Sequence, residues 1–131
     1  MEEKAMTKIT INAKNAPAAV GPYVHAVMVG YLVFTSGQFG LIPETGVLAD
    51  GIVSQTEQVL KNLGAVLAEA GLTYSDVIKT TVFLDNIDDF GTVNEIYAKY
   101  FTGDAPARSC VEVAALPKGA LVEIEVVAAI K

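Results

Sequence analysis

The chain has 131 residues, a formal net charge of −6 and 52% hydrophobic residues, with a single cysteine and a single histidine. That length supports one domain with an ordinary core, while the lone Cys110 excludes an intramolecular disulfide, and one Cys with one His does not make a zinc set. The acidic balance is poor electrostatics for holding a phosphate backbone, and no apolar run approaches the ~20 residues that span a bilayer.

The opening Met1-Glu2-Glu3-Lys4-Ala5-Met6 is charged and lacks an apolar secretory core. Residues 1–8 therefore read as a short disordered lead-in, residues 9–131 as one domain, and the cytoplasm as the expected compartment. Alternation around Val29-Gly30 predicts a hairpin of Ala26 to Val29 with Tyr31 to Ser36. Pro43-Glu44-Thr45-Gly46 reads as a turn. Val59, Leu60, Leu63, Val66, Leu67 and Ala70 recur at steps of three and four, which predicts a helix capped by Gly71. The β-branched run Val77 to Leu84 predicts a strand. A second helix is expected from Asp88 or Asp89, with Phe90, Val93, Tyr97, Tyr100 and Phe101 on one side and acidic residues suited to its start. Strands at Arg108 to Ala114 and Leu121 to Ile130 close the chain, and their local turn, Leu116-Pro117-Lys118-Gly119, would pair them as a hairpin. The pattern is α+β, one sheet face covered by two helices. The high apolar content of so small a domain points to burial against copies of itself.

Arg108 is the only arginine beside eight lysines. Its guanidinium is planar, always charged and able to grip a carboxylate with two parallel hydrogen bonds. Arg108 is thus either an anion clamp or a structural partner of one of the fifteen acidic side chains. Period-two alternation groups Arg108, Cys110 and Glu112 against Ser109, Val111 and Val113. The valines are expected to face the helix-covered core, leaving the Arg108 face on the opposite side of the sheet. In the last strand Glu123 and Glu125 alternate with Val122, Ile124 and Val126. Two glutamates spaced by two form either a solvated sheet face or a functional pair, since Glu is rarely buried unless partnered.

Five spaced blocks carry a family resemblance. They are Asn15-Ala16-Pro17-Ala18-Ala19-Val20-Gly21-Pro22-Tyr23, Phe34-Thr35-Ser36-Gly37-Gln38, Lys79-Thr80-Thr81-Val82-Phe83, Val93-Asn94-Glu95-Ile96-Tyr97, and the stretch from Pro106 to Ala128. In that order, over residues 9 to 131, they resemble the RidA/YjgF family of enamine/imine deaminases, also called the endoribonuclease L-PSP family. The resemblance implies a chorismate-mutase-like domain whose last strand inserts between earlier ones. It also implies a homotrimer with its sites between adjacent subunits, and hydrolysis of 2-imino acids such as 2-iminobutanoate and 2-iminopropanoate to 2-keto acids and ammonia without metal or cofactor.

Matched motif to motif, Arg108 is the substrate-carboxylate arginine and Glu123 the glutamate that holds the attacking water. Cys110 lines the same pocket, Tyr23 is the pocket tyrosine, Ser36 and Gly37 form the loop facing the ligand, and Asn94 is a pocket-supporting asparagine. His25 stands where relatives commonly carry Gln, so a Cys/His dyad has no support, and a surface or pocket-edge place is expected for it. The chain departs from the family pattern at Phe39-Gly40-Leu41-Ile42, where Gly40 is expected to loosen a backbone that proline would fix, and at Gly103-Asp104-Ala105. Both departures bear on substrate preference. Two other functions attach to the resemblance: an endoribonuclease or translation inhibitor, against which the single Arg and negative charge argue, and a 2-keto-acid-binding or chaperone-like trimer that needs Arg108 but not Glu123.

Overall fold

The computed structural model describes residues 7–130, so most of the expected disordered lead-in lies outside the described residues. β1 (Ile9–Ile11), β2 (Ala26–Val29), β3 (Leu32–Thr35) and β4 (Gln38–Phe39) precede the long helix α1 (Gly51–Glu69). Then come β5 (Val77–Leu84), α2 (Phe90–Tyr100), β6 (Ala107–Glu112) and β7 (Val122–Ala129), with short 3-10 turns at Tyr74–Asp76, Ile87–Asp89 and Pro117–Gly119. The expected strands and α2 lie within a residue or two of their predicted bounds, whereas α1 begins at Gly51, eight residues before the first residue of its apolar stripe. Three-residue β1 and two-residue β4 are too short for alternation to reveal.

Local chemistry explains the boundaries. Gly30 takes a left-handed conformation (φ 60) in the two-residue loop between Val29 and Leu32, the conformation such hairpin loops need. At the end of α1, Gly71 (φ 77) lets its own N–H bond the Ala68 carbonyl and that of Leu72 bond the Leu67 carbonyl, at 2.9 and 2.8 Å. The carbonyls of the last turn are thereby satisfied. At the approach to α2, the Asn86 side chain accepts from the Asp88 N–H at 2.9 Å.

The sheet runs β1-β2-β3-β7-β5-β6, with β4 also paired to β7. β6 lies parallel to β5, reached by a crossover through α2, and β7 inserts antiparallel between β3 and β5. The hairpin that the Leu116–Gly119 turn proposed between β6 and β7 does not form. β7 has the cleanest alternation in the chain, and Val122, Ile124, Val126 and Ala128 are all but completely buried under the helices. A strand with such a face gains most at the centre of the sheet, and the turn carries the chain past the end of β5, where Asp85 N–H bonds Leu121.

The core lies between the sheet and the stripe Val59, Leu60, Leu63, Val66 and Leu67 of α1, with Val93 and Ile96 of α2. Truncating any of its leucines to alanine costs about 2–5 kcal/mol. The polar residues of α1 fasten the chain after β4: buried Asn62 donates to the carbonyls of Phe39 (3.2 Å) and Leu41 (2.9 Å). Gly40 belongs to this junction. A Cβ there would meet the Cα and Cβ of Gln55 at 2.8 and 2.9 Å, so Gly40 permits close packing on α1. The expectation that it loosens the segment is corrected on that ground. The other sheet face, with Val27, Phe34, Thr81, Phe83, Ser109, Val111, Glu123, Glu125 and Val127, carries no helix. Phe34 and Val111 stay 42% and 44% exposed there.

Candidate active site

Arg108 sits on β6, an edge strand, in register with Thr80 of β5. Its side chain lies along α2, where one N–H donates to Asn94 Oδ1 at 2.6 Å. The guanidinium carbon is 4.9 Å from the centre of the Tyr97 ring and 5.3 Å from that of Phe90. Positions 90, 94 and 97 share one helical face. Tyr97 is fixed in turn by a 2.7 Å hydrogen bond with Thr80, which is wholly buried. Among the described residues the only ion pair joins Lys99 and Glu57, so Arg108 has no carboxylate partner. Four of the five guanidinium N–H groups make no hydrogen bond within the described residues. Arg108 is therefore not a structural ion pair.

The face expected for Arg108 is corrected by these contacts. Arg108 and Cys110 point toward the helices, and Glu112 accepts from Ile87 N–H at 2.9 Å in the turn leading into α2. Ser109 and Val111 occupy the uncovered face. At the rim of the sheet α2 offers two rings and an amide rather than an aliphatic surface, which suits a guanidinium better than a valine. Burial raises the Cys110 thiol pKa, and the neighbouring Arg108 charge pulls the other way. Cys110 has no base partner among the described hydrogen bonds, and its packing is that of a small apolar residue against the core.

Glu123 lies on the uncovered face of β7, opposite Phe39 of β4 and Phe83 of β5. Its carboxylate rests on Gly37, where a Cβ would collide with Oε2 and come within 2.8 Å of Cδ. Glu123, Gly37, Ser36 and Tyr23 line one groove of about 300 Å³ together with Val20, Phe39 and Pro117. Burial, and then repulsion from Glu125, raise the Glu123 pKa above the ordinary carboxylate range. Ser36 donates its hydroxyl to the Val24 carbonyl at 2.7 Å and keeps its oxygen free to accept. The Tyr23 hydroxyl accepts from Val20 N–H at 3.3 Å, which folds the entry segment over the groove.

His25 was expected at the surface or the pocket edge; it is 4% exposed, so not at the surface, and lines a small pocket beside the groove with Val20, Tyr23 and Gly37. Its Nδ1 accepts from Ala13 N–H at 2.9 Å and its Nε2 donates to the Pro17 carbonyl at 2.7 Å. The ring pins the entry segment through one acceptor and one donor, the pair a glutamine amide would offer.

The structure thus sorts the residues singled out by sequence into two groups. Arg108, Asn94 and Cys110 cluster at α2; Glu123, Gly37, Ser36 and Tyr23 cluster in the groove. Thr80 pairs with both Arg108 and Val126, and Phe83 pairs with both Val111 and Glu123. Arg108 and Glu123 are therefore two strands and three residues apart, about 14 Å between Cα atoms at the usual strand spacing and rise, and face opposite sides of the sheet. Sequence reasoning missed the parts played by Thr80, Phe90 and Tyr97. The available signal was two rings flanking Asn94 at helical spacing, which reads equally as core stripe. Among the described residues there is no cluster of three His, Cys, Asp or Glu that could hold a metal ion, and no helix long and apolar enough to cross a membrane.

The chain is similar to known proteins over nearly its whole length. Residues 13–130 match the family described as Endoribonuclease L-PSP. The 2-iminobutanoate/2-iminopropanoate deaminase of Mus musculus is 52% identical over 119 residues, covering 90% of this chain and 88% of that protein. The chloroplastic Reactive Intermediate Deaminase A of Arabidopsis thaliana is 52% identical over 125 residues, covering 95% of this chain and 67% of that protein. Among solved structures, that of E. coli TdcF with bound serine superposes with a TM-score of 0.91 at 42% identity, covering 94% of this chain and 99% of that one. On motif, fold and overall similarity alike, the chain belongs to the RidA/YjgF family of the endoribonuclease L-PSP type.

Proposed function

We propose that the protein is a 2-iminobutanoate/2-iminopropanoate deaminase that works as a homotrimer, each site formed from the Arg108 cluster of one subunit and the Glu123 groove of the next. One observation carries the reading: a guanidinium held in place with no carboxylate partner among the described residues, on the opposite sheet face from the glutamate it would have to serve. The two groups can address one small substrate only if a second copy supplies the other half. The bound serine of TdcF, an amino acid with a carboxylate, fits the same chemistry.

Arg108 grips the carboxylate of the 2-imino acid and sets the orientation of the adjacent C=N carbon, which removes part of the entropic barrier. Glu123 takes a proton from a water as the water's oxygen bonds that carbon, and passes that proton to the imine nitrogen to give a carbinolamine. Glu123 then takes the carbinolamine hydroxyl proton and returns it to the nitrogen as the C–N bond breaks, so that ammonia leaves and the 2-keto acid remains. A carboxylate pKa raised by burial makes Glu123 a stronger base than an exposed glutamate. The ribonuclease reading is disfavoured by one Arg and a net charge of −6.

The test is keto-acid formation from freshly generated 2-iminobutanoate with semicarbazide competing for the imine. Wild type outcompetes the trap and Arg108→Ala does not. If neither does while wild type binds 2-ketobutyrate, the protein is a binding trimer rather than a deaminase.

A further inference from the structure

The Arg108 guanidinium is held by more than its one hydrogen bond. Phe90 and Tyr97 are seven residues apart on α2, about 10.5 Å along a helix axis. The guanidinium carbon lies 5.3 Å from one ring centre and 4.9 Å from the other, so the two rings bracket it, and Asn94 closes the floor between them. A cation bracketed by two ring faces is confined in plane as well as position. The bracket has its own support. The Tyr97 hydroxyl is anchored by Thr80 on β5 at 2.7 Å, and the Tyr97 ring is backed by Phe101 with centroids 4.5 Å apart. Thr80 is also the register partner of Arg108, so one residue of β5 stands beside the arginine through the backbone and fixes its platform through the side chain.

We infer that Phe90, Tyr97 and Thr80 are positioning residues that hold the Arg108 guanidinium in one plane and so set the discrimination between a carboxylate and a neutral group at the same position. The inference rests on the reading of Arg108 as a carboxylate clamp. A lysine-like point charge in the same place would attract any electron-rich group. A guanidinium locked edge-on rewards the two coplanar oxygens of a carboxylate and little else. Phe90 and Tyr97 do different parts of this. Tyr97 is buried and hydrogen-bonded to Thr80, whereas Phe90 is 41% exposed and forms the outer wall of the slot. Asn94 uses one N–H and leaves the remaining edge of the fork for the ligand.

The experiment compares dissociation constants for 2-ketobutyrate and its neutral amide, 2-ketobutyramide, in the full-length protein by calorimetry. The readout is their ratio, which a general loss of packing would not move. Phe90→Leu lowers the carboxylate-over-amide ratio by about 3- to 10-fold, the scale of one lost ring contact with a cation. Tyr97→Leu lowers it at least as far, and Tyr97→Phe, which keeps the ring but loses the Thr80 anchor, lowers it by less, about 2- to 3-fold. Because Tyr97→Leu opens a cavity and can impair folding, Phe90→Leu at the half-exposed position decides the matter alone if needed. A ratio unchanged in Phe90→Leu overturns the inference, and so does a ratio unchanged in Tyr97→Leu. Arg108→Ala is the control that separates the two levels: if it leaves the ratio unchanged, the carboxylate-clamp reading itself fails.

Discussion

The two halves of the candidate site are built on opposite principles. The Arg108 half is finished within one chain: the cation has a hydrogen-bonded amide, two rings and an anchored support behind one of them. The Glu123 half is unfinished. Its carboxylate accepts no hydrogen bond among the described residues, is desolvated, and faces a second glutamate two residues on. A permanently charged group whose task is orientation benefits from being fixed in advance, because rigidity lowers the entropy lost on binding. A group that must exchange a proton benefits from an environment that makes the charged form costly.

That contrast can be broken at either end. The largest effect is expected for Arg108→Lys, which keeps the charge and removes the fork. Its kcat/KM in the trap assay falls about 100-fold, the cost of losing charge-assisted hydrogen bonds. Near-normal activity would end the two-pronged account. Glu123→Gln is expected to lower kcat by about 100-fold while leaving 2-ketobutyrate affinity within a few-fold of wild type, as isothermal titration would reveal.

The same variant tests the electrostatics of the groove. A carboxylate with a raised folded-state pKa binds protons more readily folded than unfolded, so the charged form opposes folding at neutral pH. That opposition fades as pH falls through the raised pKa and is gone below the unfolded value near ~4.3. Glu123→Gln should accordingly melt at a higher temperature than wild type at pH 7, with the gap closing in acid. A gap constant with pH would show that the carboxyl is not desolvated.

Smaller effects follow from the supports. Gly37→Ala drives a methyl into the Glu123 carboxylate, the movable end of a side chain at an open groove, so its stability cost in chemical denaturation stays within about 1 kcal/mol. It should lower kcat more than it changes ligand affinity, because the displaced group is the proposed base. His25→Ala leaves the Ala13 N–H and Pro17 carbonyl without their partner and costs about 1–3 kcal/mol. His25→Gln restores a donor and an acceptor and costs the least of the series. If Gln were as damaging as Ala, the ring would be acting by shape rather than by its hydrogen bonds.

Much of the fold could be read from the chain. Val59 through Leu67 define α1 by spacing alone, Gly71 marks its end, and the hairpin around Gly30 has both alternation and a turn residue. What could not be read was which strands become neighbours. The Leu116–Gly119 turn favours a hairpin, and only the non-local gain of burying Val122, Ile124 and Val126 at the centre overrides it. The composition of the site was equally legible, through Arg108 as the only arginine and Glu123 in an apolar strand. Its geometry was not. Alternation states which residues share a face without stating which face the helices cover, and at an edge strand the usual rule of valines inward gives the wrong answer. His25 sits in a loop, where no periodicity distinguishes a buried pin from a surface ring.

The placement of Arg108 and Glu123 on opposite sides of the sheet has a consequence at the level of heredity. If each working centre draws one residue from each of two chains, then two inactive alleles need not be equivalent to none. Co-expressing Arg108→Ala with Glu123→Gln would leave about one centre in four intact by random assortment of subunits, and each inactive chain would rescue the other.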